Sequence, residues 1–122
     1  MSFPVPSPFA WDATFDVKSP SINEQHKQLF DLINALDADR DSPDKLGALL
    51  NFVVLHFQHE ERLFTEKSYG DAAAHKQVHD KFLEDAKALT HVGEGEMQFI
   101  KSWLVQHIKE TDMKYADVLK GC

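Results

Sequence analysis

Residues 55–79, LHFQHEERLFTEKSYGDAAAHKQVH, are the stretch that decides the fold. They contain two pairs of ligand-capable residues with a spacing of four, His56 with Glu60 and His75 with His79. On an α-helix, residues i and i+4 lie one turn apart on the same face. An imidazole placed beside a carboxylate or a second imidazole can bind one metal ion or two adjacent ones. The stretch therefore predicts two helices that each present a metal-binding face.

Apolar residues recur at helical spacing on both sides of this stretch and predict four amphipathic helices. We expect the first to begin at Ser21, with Glu24 completing a capping box, and the second at Ser42, with Pro43 as its first residue. The third and fourth are expected from about residues 71 and 96. Short connections between the helices favour an all-α, antiparallel up-down-up-down four-helix bundle.

Residues 1–20 differ in composition from the rest of the chain. They include prolines at positions 4, 6, 8 and 20 with several aromatic residues among them, and predict an extended arm that packs against the bundle. The 122 residues suffice for one domain, with the arm at 1–20 and the helical bundle at 21–120.

Composition and charge exclude several classes of partner. A net charge of −7 argues against a nucleic-acid partner. No apolar run approaches the ~20 residues that a membrane span needs, and no signal peptide is evident, so we expect a cytoplasmic protein without a membrane partner. The single cysteine, Cys122, leaves no internal disulfide and predicts a mobile terminal thiol. Monomer and homo-oligomer both remain open.

The antiparallel order predicts where the polar residues on the apolar faces meet. The start of the first helix, the end of the second, the start of the third and the end of the fourth lie at one end of the bundle. Seven candidate metal ligands then share one interior layer: His26, His56, Glu60, His75, His79, His107 and Asp112. Five imidazoles and two carboxylates cannot satisfy one another there, because each neutral imidazole offers one donor and one acceptor. A metal centre would supply the missing positive charge.

Seven protein ligands are too many for one first-row ion and suit two. Two octahedral ions offer twelve positions, of which five imidazoles and two bridging carboxylates fill nine. A solvent-derived oxo or hydroxo bridge fills two more and leaves one open for an exogenous small molecule.

One ligand spacing and two histidines do not fit the pattern. His107 and Asp112 are five residues apart, roughly 140° around a regular helix, so either Asp112 reaches back or the helix is distorted. The sequence does not choose between these alternatives. His59 and His91 lie off the apolar stripes and are expected at the surface.

The complete ligand set reads His26, His56-x3-Glu60, His75-x3-His79 and His107-x4-Asp112. This set resembles that of the hemerythrin family, and above all that of the animal hemerythrins and myohemerythrins. Three further segments are similar to theirs: EQHK at 24–27, WLVQHIK at 103–109 and the arm at 3–12. The up-down-up-down bundle is also the fold of myohemerythrin. Met113 departs from the phenylalanine that the family often has there, which affects local packing only.

The resemblance implies two non-haem iron ions with an oxo or hydroxo bridge that bind dioxygen reversibly, for oxygen transport or storage. It implies that His75, His79 and His107 hold one iron, that His26 and His56 hold the other, which keeps the open position, and that Glu60 and Asp112 bridge the two. Four residues flank the ligands and are candidates for a dioxygen pocket: Phe57, Trp103, Leu104 and Ile108. Leu29 is a weaker candidate.

Three other functions remain as alternatives. The first is a di-iron oxidase, peroxidase or nitric-oxide-handling enzyme, although imidazole-rich ligation favours a carrier that is not an enzyme. The second is iron storage, detoxification or sensing. The third is a structural zinc site, which the sequence disfavours because Leu63 stands where an HExxH motif beginning at His59 would need its second histidine.

Overall fold

Residues 3–122 are described by a computed structural model of the chain. Four α-helices follow the N-terminal arm: α1 (Pro20–Ala38), α2 (Pro43–Glu66), α3 (Ala72–Lys87) and α4 (Glu94–Gln106). The last helix continues into a π-helical turn at His107–Thr111 and a 3-10 turn at Asp112–Tyr115. No β-strand occurs within residues 3–122, and α2 packs against both α1 and α3. The predicted all-α four-helix bundle is confirmed.

The helices α1 and α2 each begin where a serine side chain accepts a hydrogen bond from a free N–H group of the first turn. Ser42 caps α2 and Pro43 is its first residue, as predicted. For α1 the predicted capping box at Ser21 is wrong, because Ser19 is the cap and its hydroxyl accepts a hydrogen bond from the Ile22 N–H at 3.3 Å. Ser21 lies inside the helix, where its side chain contacts another helix instead.

The core is one continuous cluster of the apolar stripes of all four helices. The arm contributes to it, since Phe9, Phe15 and Val17 are buried and Phe9 stacks on Phe30 of α1 with ring centroids 4.5 Å apart. The expectation that the arm packs against the bundle is confirmed for its described residues, although Pro20, expected in the arm, is the first residue of α1.

The beginning of the arm is held at the end of α4. The Phe3 N–H donates to the Gln106 side-chain oxygen and the Gln106 amide donates back to the Phe3 carbonyl, both at 2.7 Å. Beyond Gln106, the ammonium of Lys109 lies 5.6 Å from the ring centre of Phe3 and 4.6 Å from that of Phe15. These cation–π contacts and the paired hydrogen bonds join the two ends of the fold.

The C-terminus is also packed. Cys122 is half-buried against the core and its N–H donates to the Leu119 carbonyl at 3.0 Å, so the prediction of a mobile terminal thiol was wrong. None of the helices within residues 3–122 combines the length and apolar character needed to cross a membrane.

The capping role of Ser19 can be tested by substitution. We expect Ser19→Ala to lower the free energy of unfolding by about 1 kcal/mol, because the buried Ile22 N–H loses its acceptor. Thermal unfolding should show a melting temperature several degrees lower. Ser102→Ala, inside α4, is the control and should cause no comparable loss. Equal melting temperatures for Ser19→Ala and the native chain would contradict the assignment of the cap.

Candidate metal centre

The structure brings all seven candidate ligands together in the interior at one end of the bundle. None of the seven is more than 4% exposed to solvent. Residue 26 lies in the second turn of α1, residues 56 and 60 in the second half of α2, residues 75 and 79 in the first turns of α3, and residues 107 and 112 just beyond α4. The antiparallel order of the helices produces this convergence.

The ligand atoms form two groups, and within each group they lie within 4.8 Å of one another. One group contains His75, His79 and His107, the other contains His26 and His56, and both contain Glu60 and Asp112.

Short distances connect the two groups through the shared carboxylates. Glu60 Oε1 lies 3.3 Å from His56 Nε2 and 3.2 Å from His79 Nε2. Asp112 Oδ2 lies 3.2 Å from His26 Nε2, and its Oδ1 lies 3.0 Å from His107 Nε2. Each carboxylate therefore touches imidazoles of both groups, which is the position a bridging ligand needs.

The awkward spacing of His107 and Asp112 is resolved by the π-helical turn that begins at His107. The Asp112 N–H donates to the carbonyls of His107 and Ile108, so the backbone closes an i→i+5 hydrogen bond. A π turn holds about one more residue than an α turn and brings residues five apart onto the same face. Of the two alternatives left open by the sequence, the structure shows the distorted helix.

Hydrogen bonds and ring stacking fix the orientation of several imidazoles. His56 Nδ1 lies 2.7 Å from Gln25 Oε1, and His79 Nδ1 lies 3.0 Å from Glu61 Oε2. With Nδ1–H donating to these oxygens, each Nε2 keeps its lone pair free toward the cluster. The His79 ring also stacks on Phe57, with centroids 3.7 Å apart and planes 3° apart.

Tyr115 completes the surroundings of Glu60. It is fully buried, and its hydroxyl donates a short hydrogen bond to Glu60 Oε2. Burial, together with the Asp112 and Glu60 carboxylates, raises the pKa of the Tyr115 phenol well above its usual value. The phenol therefore stays protonated and acts as a donor.

The protonation states of His56 and of the two carboxylates suit metal binding. Burial lowers the pKa of the His56 imidazole to about 3. Burial and Asp112 raise the pKa of Glu60, but contacts with His56 and His79 outweigh them and bring it down to about 2. Burial also raises the pKa of Asp112, but the histidines around it, His107 first, hold it well below its usual value. Near neutral pH both carboxylates are ionised and His56 is neutral, the forms that bind metal ions.

Many polar atoms of the cluster lack a hydrogen-bond partner within the described part of the chain. They include Nε2 of His26, His75, His79 and His107, Oε1 of Glu60 and both oxygens of Asp112. Buried polar atoms without partners cost free energy, and an unpaired buried carboxylate costs several kcal/mol. Because these atoms converge around two common centres, the cluster is able to hold metal, and two cations would satisfy it.

An apolar cavity adjoins the cluster, and it includes most of the predicted pocket residues. The end nearest the cluster is lined by Leu29, His56, Phe57, Trp103, Leu104 and His107. Ile108 is fully buried but is not among the lining residues, so the structure does not bring it to the cavity. The weaker candidate Leu29 does line it.

The two remaining histidines lie outside the cluster. His91 is exposed, as expected. The expectation that His59 is a simple surface residue was wrong, since it is half-buried and its Nε2 lies 3.0 Å from Ser21 Oγ. This contact joins α2 to α1 without involving the cluster.

Sequence reasoning missed three residues that contact the ligands: Gln25, Glu61 and Tyr115. Gln25 and Glu61 are the chain neighbours of His26 and Glu60, but they bond to histidines on other helices. The available signal was chemical, since a ligating imidazole needs an acceptor at its second nitrogen and a buried phenol needs an acceptor of its own.

Comparison with known protein families gives one family match. The model of a family described as "Hemerythrin HHE cation binding domain" matches residues 19–119. The chain is 56% identical over 119 residues to a hemerythrin-like protein of Naegleria gruberi, which covers 98% of this chain and 100% of that protein. It is 39% identical to a myohemerythrin of Theromyzon tessulatum, which covers 94% of this chain and 97% of that protein.

A solved structure resembles the whole fold. A crystal structure of wild-type hemerythrin superposes with a TM-score of 0.86 at 31% sequence identity. The superposition covers 92% of this chain and 98% of the hemerythrin chain.

The hydrogen bond from Tyr115 to Glu60 can be tested by removing one hydroxyl group. We expect Tyr115→Phe to destabilise the protein by about 1–3 kcal/mol, because a buried carboxylate oxygen loses its donor. Chemical denaturation of the metal-loaded protein measures this loss. Tyr69→Phe, at a half-buried tyrosine beside it, is the matched control and should change stability little. Equal losses in the two variants would contradict a special role for Tyr115.

The contact between Glu61 and His79 predicts an effect on metal affinity. We expect Glu61→Gln to weaken metal binding about 10–100-fold, because the imidazole loses its anionic partner. Competition with a chelator followed by metal analysis measures the change. Glu66→Gln, at an exposed position at the end of α2, serves as the control, and a similar change in both variants would argue against the assigned contact.

Proposed function

The chain belongs to the hemerythrin family, and from that membership we propose that it binds dioxygen reversibly at two non-haem iron ions in its buried cluster. The function would be oxygen transport or storage. The family description names cation binding, and the relatives named myohemerythrin and hemerythrin subunit support the choice of function.

The assignment of ligands follows the two groups of side chains. His75, His79 and His107 would hold one iron, and His26 and His56 the other. Glu60 and Asp112, which belong to both groups, would bridge the ions together with a solvent-derived oxo or hydroxo bridge. The ion with two histidines has one protein ligand fewer and would keep the open position.

The bound iron would supply the reversible ferrous–ferric chemistry that dioxygen binding requires. The protein supplies the environment. Gln25 and Glu61 hold the imidazoles in their binding tautomer, and the Tyr115 hydroxyl donates a hydrogen bond to Glu60 Oε2. The rings of Phe57 and Trp103 pack flat against His79 and His107.

The observation that carries the proposal is the apolar cavity that reaches both groups of ligands. His56 belongs to the group with two histidines and His107 to the group with three, and both line the cavity. The other lining residues are apolar, so they offer a small apolar ligand a dry site and provide no acid or base for further reduction. This favours a carrier over an oxidase or peroxidase.

The metal content and the visible spectrum test the proposal directly. We expect about two iron ions per chain, from the two groups of ligands. The reduced protein should be colourless, gain visible absorption with dioxygen and lose it under vacuum. About two zinc ions with no iron would contradict the metal assignment, and steady turnover of dioxygen with a reductant would contradict a carrier.

Substitution of the ligands tests the assignment to separate ions. We expect His56→Ala and His107→Ala each to lower the iron content to about one ion per chain or less, because each removes a ligand from a different group. The exposed His91→Ala is the matched control and should retain the native iron content. Unchanged iron uptake in both ligand variants would contradict the assigned site.

A further inference from the structure

The cavity extends well beyond the cluster, toward the opposite end of the bundle. Its far end is lined by Leu49 and Leu50 of α2 and by Ala86 and Leu89 around the end of α3. On α2 the lining runs from residue 56 back to residue 49, a span of roughly 10 Å at the rise of an α-helix. The cavity is therefore longer than a site for one ligand beside the metals needs to be.

The exposure of the lining residues indicates where the cavity approaches solvent. Leu49 and Ala86 are buried, whereas Leu50 and Leu89 are only half-buried. Trp103 is also half-buried, but its ring packs between Phe82 and His107, with centroids 3.9 Å and 4.3 Å away. These stacked rings fill the side near the cluster, so the far end is the more open one.

The interior of the cavity suits a small apolar molecule rather than water. Apart from the two metal-site histidines His56 and His107, all its lining residues are apolar. Its open volume is about 20 Å³, enough for one small molecule at a time. A water molecule there would lack the two to four polar partners that it needs, whereas dioxygen needs none.

We propose that this cavity is the passage by which dioxygen reaches the metal centre, with its mouth between Leu50 and Leu89 at the end of the bundle remote from the metals. That the gas is dioxygen rests on the proposed function. The physical basis of the passage, a dry apolar channel two helical turns long, is independent of the metals.

A larger side chain at position 86 distinguishes a passage for dioxygen from a cavity that only contacts dioxygen bound at the metals. Ala86→Leu adds three carbon atoms inside the channel, away from the cluster. We expect it to slow both association and release of dioxygen about tenfold, because both cross the same raised barrier, while the affinity stays unchanged. Rapid-mixing and flash-photolysis measurements on the iron-loaded protein give the two rates. Ala88→Leu, two residues along at an exposed position, is the matched control and should leave both rates unchanged.

Xenon gives a readout that does not depend on the iron chemistry. Crystals of the native protein under xenon pressure should show one xenon atom between Leu49 and Ala86, and crystals of Ala86→Leu should show none there. Leu89→Trp, at the half-exposed mouth, provides a second obstruction if Ala86→Leu fails to fold.

The outcomes separate the passage from the proposed function. Native dioxygen rates in the variants that fold, or no xenon in the native cavity, would overturn the passage while reversible binding still stands. Xenon in the cavity of a protein that cannot release dioxygen would overturn the proposed function and leave the channel supported as a gas site.

Discussion

The burial of two carboxylates and five imidazoles in a single layer is the constraint on which the rest of the structure depends. Ionised carboxylates in an apolar interior are strongly unfavourable unless positive charge or hydrogen-bond donors meet them. Here the ligand side chains form two groups in the interior, and Glu60 and Asp112 belong to both groups. Folding of this end of the bundle is therefore coupled to the arrival of cations, whereas the apolar end can form from hydrophobic burial alone.

The features that could be predicted from the sequence are those that follow from periodicity. A spacing of four places His56 beside Glu60 and His75 beside His79, and the antiparallel order brings their helices together. The cap of α1 was misassigned, although Pro20 marks Ser19 as the cap in the same way that Pro43 marks Ser42. The capping-box pattern of Ser21 and Glu24 competed with that signal. The partners of the imidazoles were missed for a different reason, because they are distant in sequence: Gln25 and His56 are 31 residues apart.

The π-helical turn explains the spacing of two ligands and the position of one candidate for the dioxygen pocket. It allows Asp112 to face the cluster five residues after His107, which a regular helix does not permit. The same turn changes the direction of the residues that follow His107, so helical periodicity no longer predicts which face they occupy. Trp103 and Leu104 precede the turn and line the cavity, whereas Ile108 lies within the turn and does not line the cavity.

The paired hydrogen bonds between Phe3 and Gln106 have a consequence for the order in which the chain folds. The two residues are 103 positions apart, so the arm leaves the ribosome long before the residues that hold it exist. A contact of such high sequence separation carries a large loop-closure entropy unless the intervening helices have already brought its ends together. We therefore expect the docking of Phe3 on Gln106 to be the last step of folding, made on a bundle that is already in place. Because Gln106 directly precedes His107, that final step also restrains the backbone beside one of the proposed iron ligands.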